Sequence, residues 1–329
     1  MKKLTKSEEK QLTKEEYDKY YYWLRNKYDK SFLANLTPEQ RKKIHPILLN
    51  IIKLKNKMSG FKLTVLENNI EKTNKPKIYC ITHIGKYDIE VVSQVIKEHY
   101  YLFSGDFENI HDTTEGIFLG FNGVLFVKED DKKDRALVKE KMVQKLKEGA
   151  NIMYFPEGTW NLSPNLPVLQ IPYGIIETAK KGNATIIPVA IEEYDKHFIS
   201  IIGKNFEVDK YGEDKLTAIK ELRNEMASLK WRIWESVPEI KRAELDKNSF
   251  DEYIDEKISE WPNFGLEEFY ERVFKPKNIP LEKDVYAFLK ELSINQNNAF
   301  LAREKDEYVK NISYKESETN HFLFLFLMI

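Results

Sequence analysis

KIYCITHIGKYD, residues 77–88, is the stretch that decides the fold. The β-rich run Lys77–Thr82 predicts a buried strand, and His83 leaves its end with Asp88 five residues later. Within one tight turn, the Asp88 carboxylate can accept the Nδ1 proton of the imidazole. Nε2 is then free to take a proton from a substrate hydroxyl. The plainer alternative is a histidine that caps a turn.

FPEGTW, residues 155–160, follows the predicted strand Asn151–Phe155 in the same way. It places the Glu157 carboxylate at the carboxyl end of a strand, where α/β sheets bind ligands. Gly158 permits close approach of the backbone to a substrate. An ordinary Pro-Gly turn is the alternative interpretation.

Strands and helices alternate from residue 61 to about residue 205, which predicts an α/β fold with a largely parallel sheet and helices on both faces. Pro188 lies inside a β-rich run and indicates a sheet edge or a bulge. The predicted strands are Phe61–Leu66, Lys77–Thr82, Tyr100–Ser104, Val124–Val127, Asn151–Phe155, Ala184–Ile191 and Phe198–Ile202. The predicted helices in and after this region are Ile89–His99, Arg135–Lys147, Tyr173–Lys181 and Asp214–Ser236.

The chain divides into three predicted regions: 1–60, 61–205 and 206–329. Residues 1–60 carry 15 Lys/Arg and 7 Asp/Glu, and they read as a basic helical segment that can dock on an anionic membrane or form a solvated face. Its helices are predicted at Leu12–Tyr28 and from Thr37, continuing through or restarting at Pro46. Residues 206–329 are predicted to be mostly helical, with shorter helices at Leu266–Phe274, Leu281–Leu292 and part of 296–310, and with 239–263 as a connection.

Composition excludes several classes of protein. The net charge is −1 over 329 residues, so no global basic field attracts nucleic acid. One cysteine excludes a disulfide framework and fits a reducing, cytoplasmic compartment. No metal-ligand spacing is present, so no metal site is expected. No apolar stretch is long enough to span a bilayer, and Phe322–Ile329, eight residues, is the longest clean apolar run.

The order of four motifs resembles that of the PlsC-like glycerolipid acyltransferase family. These motifs are HxxxxD (His83/Asp88), an apolar strand after Gly123, FPEG and a Pro-Val strand at Pro188. The resemblance implies a glycerol-3-phosphate-acyltransferase-like core. It also implies transfer of a fatty acyl group from acyl-CoA or acyl carrier protein to the hydroxyl of a lysophospholipid such as 1-acyl-glycerol-3-phosphate, without a cofactor. His83 would be the general base and Asp88 would orient it.

The same resemblance implies the substrate-binding residues. Glu157 would help to hold the acceptor, Gly158 and Thr159 would shape the acceptor loop, and the chain would work peripherally on the inner face of a membrane. Two departures stand out: Trp160 replaces the arginine that usually ends FPEGT, and Glu129, or Lys128 by a one-residue shift, replaces the arginine of the second motif. Because both arginines are thought to bind the acceptor phosphate, Lys128 and Trp160 become candidate binding residues.

Two alternatives stay open. One is an acyltransferase for a non-phosphorylated glycolipid or amino-lipid acceptor, which Trp160 and Glu129 favour; Trp160 would then stack on a sugar or cover an acyl chain. The other is a catalytically silent relative that binds lipid.

Overall fold

A seven-stranded sheet lies at the centre of Met1–Pro276, the larger of the two units into which the chain divides. The computed structural model describes residues 1–9, 11–105, 107–111, 113–163, 166–238, 242–261, 269, 288–303, 305–306 and 309–310. The strands are β1 Lys62–Asn68, β2 Lys77–Ile81, β3 Tyr100–Ser104, β4 Val124–Phe126, β5 Asn151–Tyr154, β6 Thr185–Tyr194 and β7 His197–Ile202.

The strand order is β1-β7-β6-β2-β5-β3-β4, and every neighbouring pair is parallel except β6 and β7. This arrangement confirms the largely parallel sheet. β2 lies in the middle, and its residues Ile78–Ile81 are fully buried, as a near-continuous apolar run in a parallel sheet requires. The ends of β2 and β5, which carry the two motifs, are therefore neighbours.

Helices cover both faces of the sheet, as predicted. Because successive side chains of a strand point to opposite faces, Ile78 packs with helices on one face and Tyr79 with a helix on the other. The helices of this unit are α1 Lys6–Glu9, α2 Lys14–Asp29, α3 Pro38–Met58, α4 Asp88–Ile96, α5 Phe107–Ile110, α6 Thr114–Asn122, α7 Lys132–Lys147, α8 Gly174–Gly182, α9 Lys215–Glu235 and α10 Ser249–Glu260. The first face packs against α7, α8 and α9, and the second packs against α4.

Three features differ from the sequence prediction or settle it. α10 is a helix inside 239–263, which was predicted to be a connection. α3 runs unbroken through Pro46. Pro188 is in β6, an interior strand rather than an edge. Ile186 pairs with Phe206 and Val189 pairs with Ile202, so an advance of three residues along β6 corresponds to four residues on the paired segment. This extra residue is a bulge, so the bulge alternative for Pro188 is the correct one.

The second unit, Lys277–Ile329, is described at few positions, which include the helix α11 Phe288–Glu291 and a single 3₁₀ turn at Ala299–Leu301. The predicted helix Leu281–Leu292 is described from residue 288 onward. Most of Leu266–Phe274 and all of Phe322–Ile329 lie outside the described residues. Within the described part of the chain, no helix combines the length and the apolar character that crossing a bilayer would need.

Buried polar side chains attach α3 to α6 and attach the end of α6 to His99, which precedes β3. Arg41 of α3 is buried and donates to the carbonyl oxygen of Gly120 at 2.6 Å. His45 Nδ1 donates to Asn122 Oδ1 at 2.7 Å, and His99 Nε2 donates to the Asn122 carbonyl oxygen at 2.7 Å. Burial lowers the pKa of His45, and it lowers the pKa of His99 to about 4. Both imidazoles are therefore neutral in the folded protein near neutral pH.

These two histidines predict an acid-sensitive fold. Between pH 6.5 and 4, His99 binds a proton in the unfolded chain but not in the folded protein. Its contribution to the free energy of unfolding is therefore fully present above pH 6.5 and is lost as the pH falls toward 4. At about 1.4 kcal/mol per pKa unit, His99 alone removes on the order of 3 kcal/mol of unfolding free energy. His99→Gln keeps a donor for Asn122 and should flatten this dependence in urea unfolding at a series of pH values. An unchanged slope would contradict the assignment.

Candidate active site

His83 and Asp88 meet at the carboxyl end of β2, where the chain turns into α4. One carboxylate oxygen of Asp88, Oδ2, accepts from His83 Nδ1 at 2.7 Å, from the Ile84 amide at 2.7 Å and from the Gly85 amide at 3.1 Å. The Asp88 side chain is 1% exposed. It also begins α4, where the helix dipole favours a negative charge. The predicted contact between base and orienting carboxylate is therefore present.

The imidazole of His83 lies near two aromatic rings. Its centroid is 4.5 Å from that of Phe155 and 6.4 Å from that of Trp160. The side chain is 20% exposed, so a substrate can reach it. Because Nδ1 donates to Asp88, the neutral ring presents Nε2 as a bare acceptor.

Glu157 lies inside the protein. Its Oε1 accepts from the His83 amide at 3.0 Å, and its Oε2 accepts from the Leu169 amide at 2.7 Å. The residue is 2% exposed, and burial raises the pKa of its carboxyl group. Its turn is closed by a hydrogen bond from the Gly158 amide to the Phe155 carbonyl at 3.1 Å, with Gly158 at a φ of +69° that favours glycine. In this conformation, Glu157 contacts the backbone that carries His83.

Gly158 and Thr159 follow at the surface, with Gly158 exposed and Thr159 half-buried. Trp160 turns inward and is 7% exposed, in an apolar cluster with Leu162, Leu169 and Phe269. Ile254 of α10 and Trp261 pack against this cluster. The residue that replaces the family arginine therefore belongs to a small core beneath the acceptor loop.

Lys128 is not brought to this group of residues. It follows β4, three strands away from β2 in the sheet order, which corresponds to about 14 Å at the usual strand spacing. Its ammonium is 2.7 Å from Asp130 Oδ1 and 3.1 Å from Asp18 Oδ1. Burial opposes the charge of Lys128, but these two carboxylates outweigh it and raise its pKa. The Lys128 charge is thus already balanced.

The sequence analysis missed one cation near the turn His83–Asp88, the catalytic turn. This cation lies on α10. Lys257 Nζ is 2.6 Å from Glu193 Oε2, and it lies 3.9 Å from the position that a Cβ would take at Gly85. Burial disfavours the ammonium, but the hydrogen bond and charge of Glu193 outweigh it and raise the Lys257 pKa. The four-residue spacing of Phe250, Ile254 and Ile258 was a helical signal that could have indicated this helix.

This arrangement can deprotonate a hydroxyl group without a covalent nucleophile. The Nε2 atom of His83 is the available base, and Cys80 is excluded as a nucleophile because it is fully buried and burial raises the pKa of its thiol. The amides of His83, Ile84 and Gly85 are engaged by Glu157 and Asp88. These three amides are therefore not free to stabilise an oxyanion.

The chain is similar over 68% of its length to the crystal structure of the 1-acyl-sn-glycerophosphate (LPA) acyltransferase PlsC from Thermotoga maritima, with 16% identity, 90% of that chain covered and a TM-score of 0.48. No curated protein matches the chain. The sequence model of the Acyltransferase family matches residues 62–192, which include both the His83/Asp88 turn and the FPEG turn. Residues 62–192 therefore form an Acyltransferase domain, and the chain is an acyltransferase.

Proposed function

We propose that this acyltransferase moves a fatty acyl group from acyl-CoA or acyl carrier protein to the hydroxyl of a lysophospholipid such as 1-acyl-glycerol-3-phosphate. The observation that carries the proposal is the 2.7 Å hydrogen bond from His83 Nδ1 to Asp88 Oδ2, which leaves Nε2 as a base at the sheet edge. The same contact argues against a catalytically silent lipid-binding relative. The proposed reaction requires no cofactor, because the thioester of the acyl donor is already activated.

The reaction needs two proton transfers and one displacement. His83 Nε2 takes the proton of the acceptor hydroxyl, while the hydroxyl oxygen attacks the thioester carbonyl carbon and forms the new C–O bond. The C–S bond then breaks, and the leaving sulfur takes up the proton from the imidazolium. Asp88 stabilises that imidazolium and holds the ring in the reactive tautomer.

Glu157 supports this reaction by position. Its carboxylate fixes the amide of His83 and the amide of Leu169, so it sets where the catalytic histidine leaves the sheet. The sequence-based hypothesis gave it a direct contact with the acceptor. We favour a positioning role, because both oxygens are used inside the protein. The exposed Gly158 and the half-buried Thr159 are then the parts of this loop that face the acceptor.

A second candidate function is acyl transfer to an acceptor without a phosphate, such as a glycolipid or amino-lipid hydroxyl. Lys128 is balanced by Asp18 and Asp130, and Trp160 is packed in an apolar cluster. Neither residue offers the planar bidentate fork with which arginine binds phosphate. This candidate predicts that the catalytic pair is retained while the acceptor has changed.

We also propose that the amino-terminal segment docks the enzyme on the cytoplasmic face of a membrane. Four large apolar side chains of α3, at spacings of four, three and four residues, share one face and are 43% to 80% exposed: Ile47, Ile51, Leu54 and Met58. Exposed lysines flank this face, namely Lys42, Lys43, Lys53 and Lys57. An apolar face bordered by lysine suits the interface of an anionic leaflet.

The first test measures free-thiol release from acyl-CoA and from acyl carrier protein with a panel of acceptors. His83→Ala should lower turnover by about 100-fold or more, because the base is lost, while urea unfolding shows that the variant is folded. Release with lysophosphatidic acid supports the first candidate, and release only with glycolipid or amino-lipid acceptors supports the second. Full activity of His83→Ala would refute both.

The second test concerns Glu157. Glu157→Gln leaves one backbone amide facing an NH₂ group, which should cost about 1–3 kcal/mol of stability. It should also lower kcat in equal proportion for all acceptors, because the histidine is misplaced. Glu221→Gln, at an exposed position of α9, is the control with the same change of charge. A rise in acceptor KM alone, with kcat unchanged, would instead support a direct contact between Glu157 and the acceptor.

The third test concerns the membrane. Leu54→Asp together with Met58→Asp should weaken binding to vesicles that contain phosphatidylglycerol by about tenfold or more, because each side chain contributes roughly 1.5–3 kcal/mol when buried. Leu137→Asp alters a 49% exposed leucine of α7 and should leave vesicle binding unchanged. Equal effects of the two sets in a flotation assay would contradict docking through α3.

A further inference from the structure

A cavity of about 160 Å³ lies outside the catalytic turn, between the carboxyl end of α3, the start of β1, α4 and β7. Phe61 and Phe198 form part of its apolar wall, and Lys53, Lys57 and Lys62 lie around it. The space is ample for several water molecules or for one phosphate group. The residues that line this cavity include none with a proposed catalytic or acceptor-binding role.

Asn56 is the unusual member of this cavity. The residue is 3% exposed, yet neither its Oδ1 nor its Nδ2 has a hydrogen-bond partner among the described residues. A buried amide without partners is costly, and native proteins seldom keep one without a reason. An apolar residue of similar size, such as leucine, would fill the position at a lower cost. The amide is therefore explained best by a polar group that enters the cavity.

The charges around the cavity indicate the sign of that group. Lys55, on the same helix, is paired with Glu90 at 2.5 Å. By contrast, Lys53, Lys57 and Lys62 have no carboxylate within 4 Å among the residues that the structure describes. Lysines suit the carboxyl end of a helix, which accounts for Lys53 and Lys57 but not for Lys62 on β1. Three lysine residues without a carboxylate partner line this cavity, which favours an anion with several oxygens over a cation.

We propose that this cavity binds a phosphate ester. The three lysines would supply charge, and Asn56 Nδ2 would donate to a phosphate oxygen while its Oδ1 accepts from a hydroxyl of the same ligand. The source that fits best is a lipid headgroup, because Leu54 and Met58 of the apolar face lie next to Lys53 and Lys57 in the helix. This choice of source rests on the membrane docking proposed above, whereas phosphate binding itself does not.

The soluble arm of the test uses sn-glycerol 3-phosphate and inorganic phosphate in isothermal titration calorimetry with the full chain at constant ionic strength. Asn56→Leu should weaken binding by about tenfold or more while raising or preserving the melting temperature, which separates loss of binding from loss of fold. Lys53→Gln with Lys57→Gln should weaken binding similarly. Lys42→Gln with Lys43→Gln removes the same charge from α3 away from the cavity and should leave binding unchanged.

Two results would overturn the proposal. If the unaltered chain binds neither phosphate nor glycerol 3-phosphate, Asn56 is solvated by water only. If the cavity variants and the control variants lose binding equally, the effect is one of general charge. His83→Ala should bind glycerol 3-phosphate normally, so failure of the acyl-transfer function and failure of the cavity are distinguishable.

The vesicle arm identifies the source of the phosphate. Flotation with phosphatidylcholine vesicles, with and without phosphatidylglycerol, is compared for the unaltered chain, Asn56→Leu and the variant Leu54→Asp with Met58→Asp. Weaker binding of Asn56→Leu to the anionic vesicles alone supports a lipid headgroup. Loss of glycerol 3-phosphate binding with unchanged flotation supports the cavity but assigns it to a soluble phosphate ester.

Discussion

Three hydrogen bonds to one oxygen of Asp88 organise both the fold and the chemistry of this acyltransferase. The imidazole of His83 and the amides of Ile84 and Gly85 converge on that oxygen. In a site this buried, three donors without an acceptor would be costly. Asp88 also begins α4, whose residues Val91–Ile96 pack on the sheet. The packing of a helix therefore fixes the tautomer of the proposed catalytic base.

Glu157 extends the same arrangement to the neighbouring strand. It reaches from the turn after β5 to the amide of His83 and to the amide of Leu169. Together, Asp88 and Glu157 engage three consecutive amides of the catalytic turn, so this turn is held by carboxylates rather than left open as a nest for an anion. An oxyanion formed at the thioester carbonyl oxygen would therefore need donors other than these three amides.

The sequence was sufficient for the seven strands and for the contact between His83 and Asp88, because both depend on local patterns. Buried strands such as Ile78–Ile81 are written as short apolar runs, and the five-residue separation of His83 and Asp88 fits one turn. The features that the sequence did not predict depend on packing between distant segments. The inward direction of Glu157, the burial of Trp160 and the approach of Lys257 to Gly85 are set by residues more than ten positions away. For Pro188 the sequence left a sheet edge and a bulge open, and only the pairing of β6 with Ile202 and Phe206 identifies a bulge.

The tryptophan that replaces the family arginine and the helix α10 are best understood as one feature. Trp160 is covered by Ile254 of α10 and by Trp261, and an arginine at residue 160 would place a charge inside this apolar cluster at a large desolvation cost. The arginine could not be retained while these residues pack there. Under the proposed function, the chemistry and the acceptor preference are thus assigned to separate parts of the chain: Asp88 and Glu157 hold the base, whereas Gly158 and Thr159, beside the Trp160 cluster, face the acceptor. A change in acceptor would then require no change in His83 or Asp88.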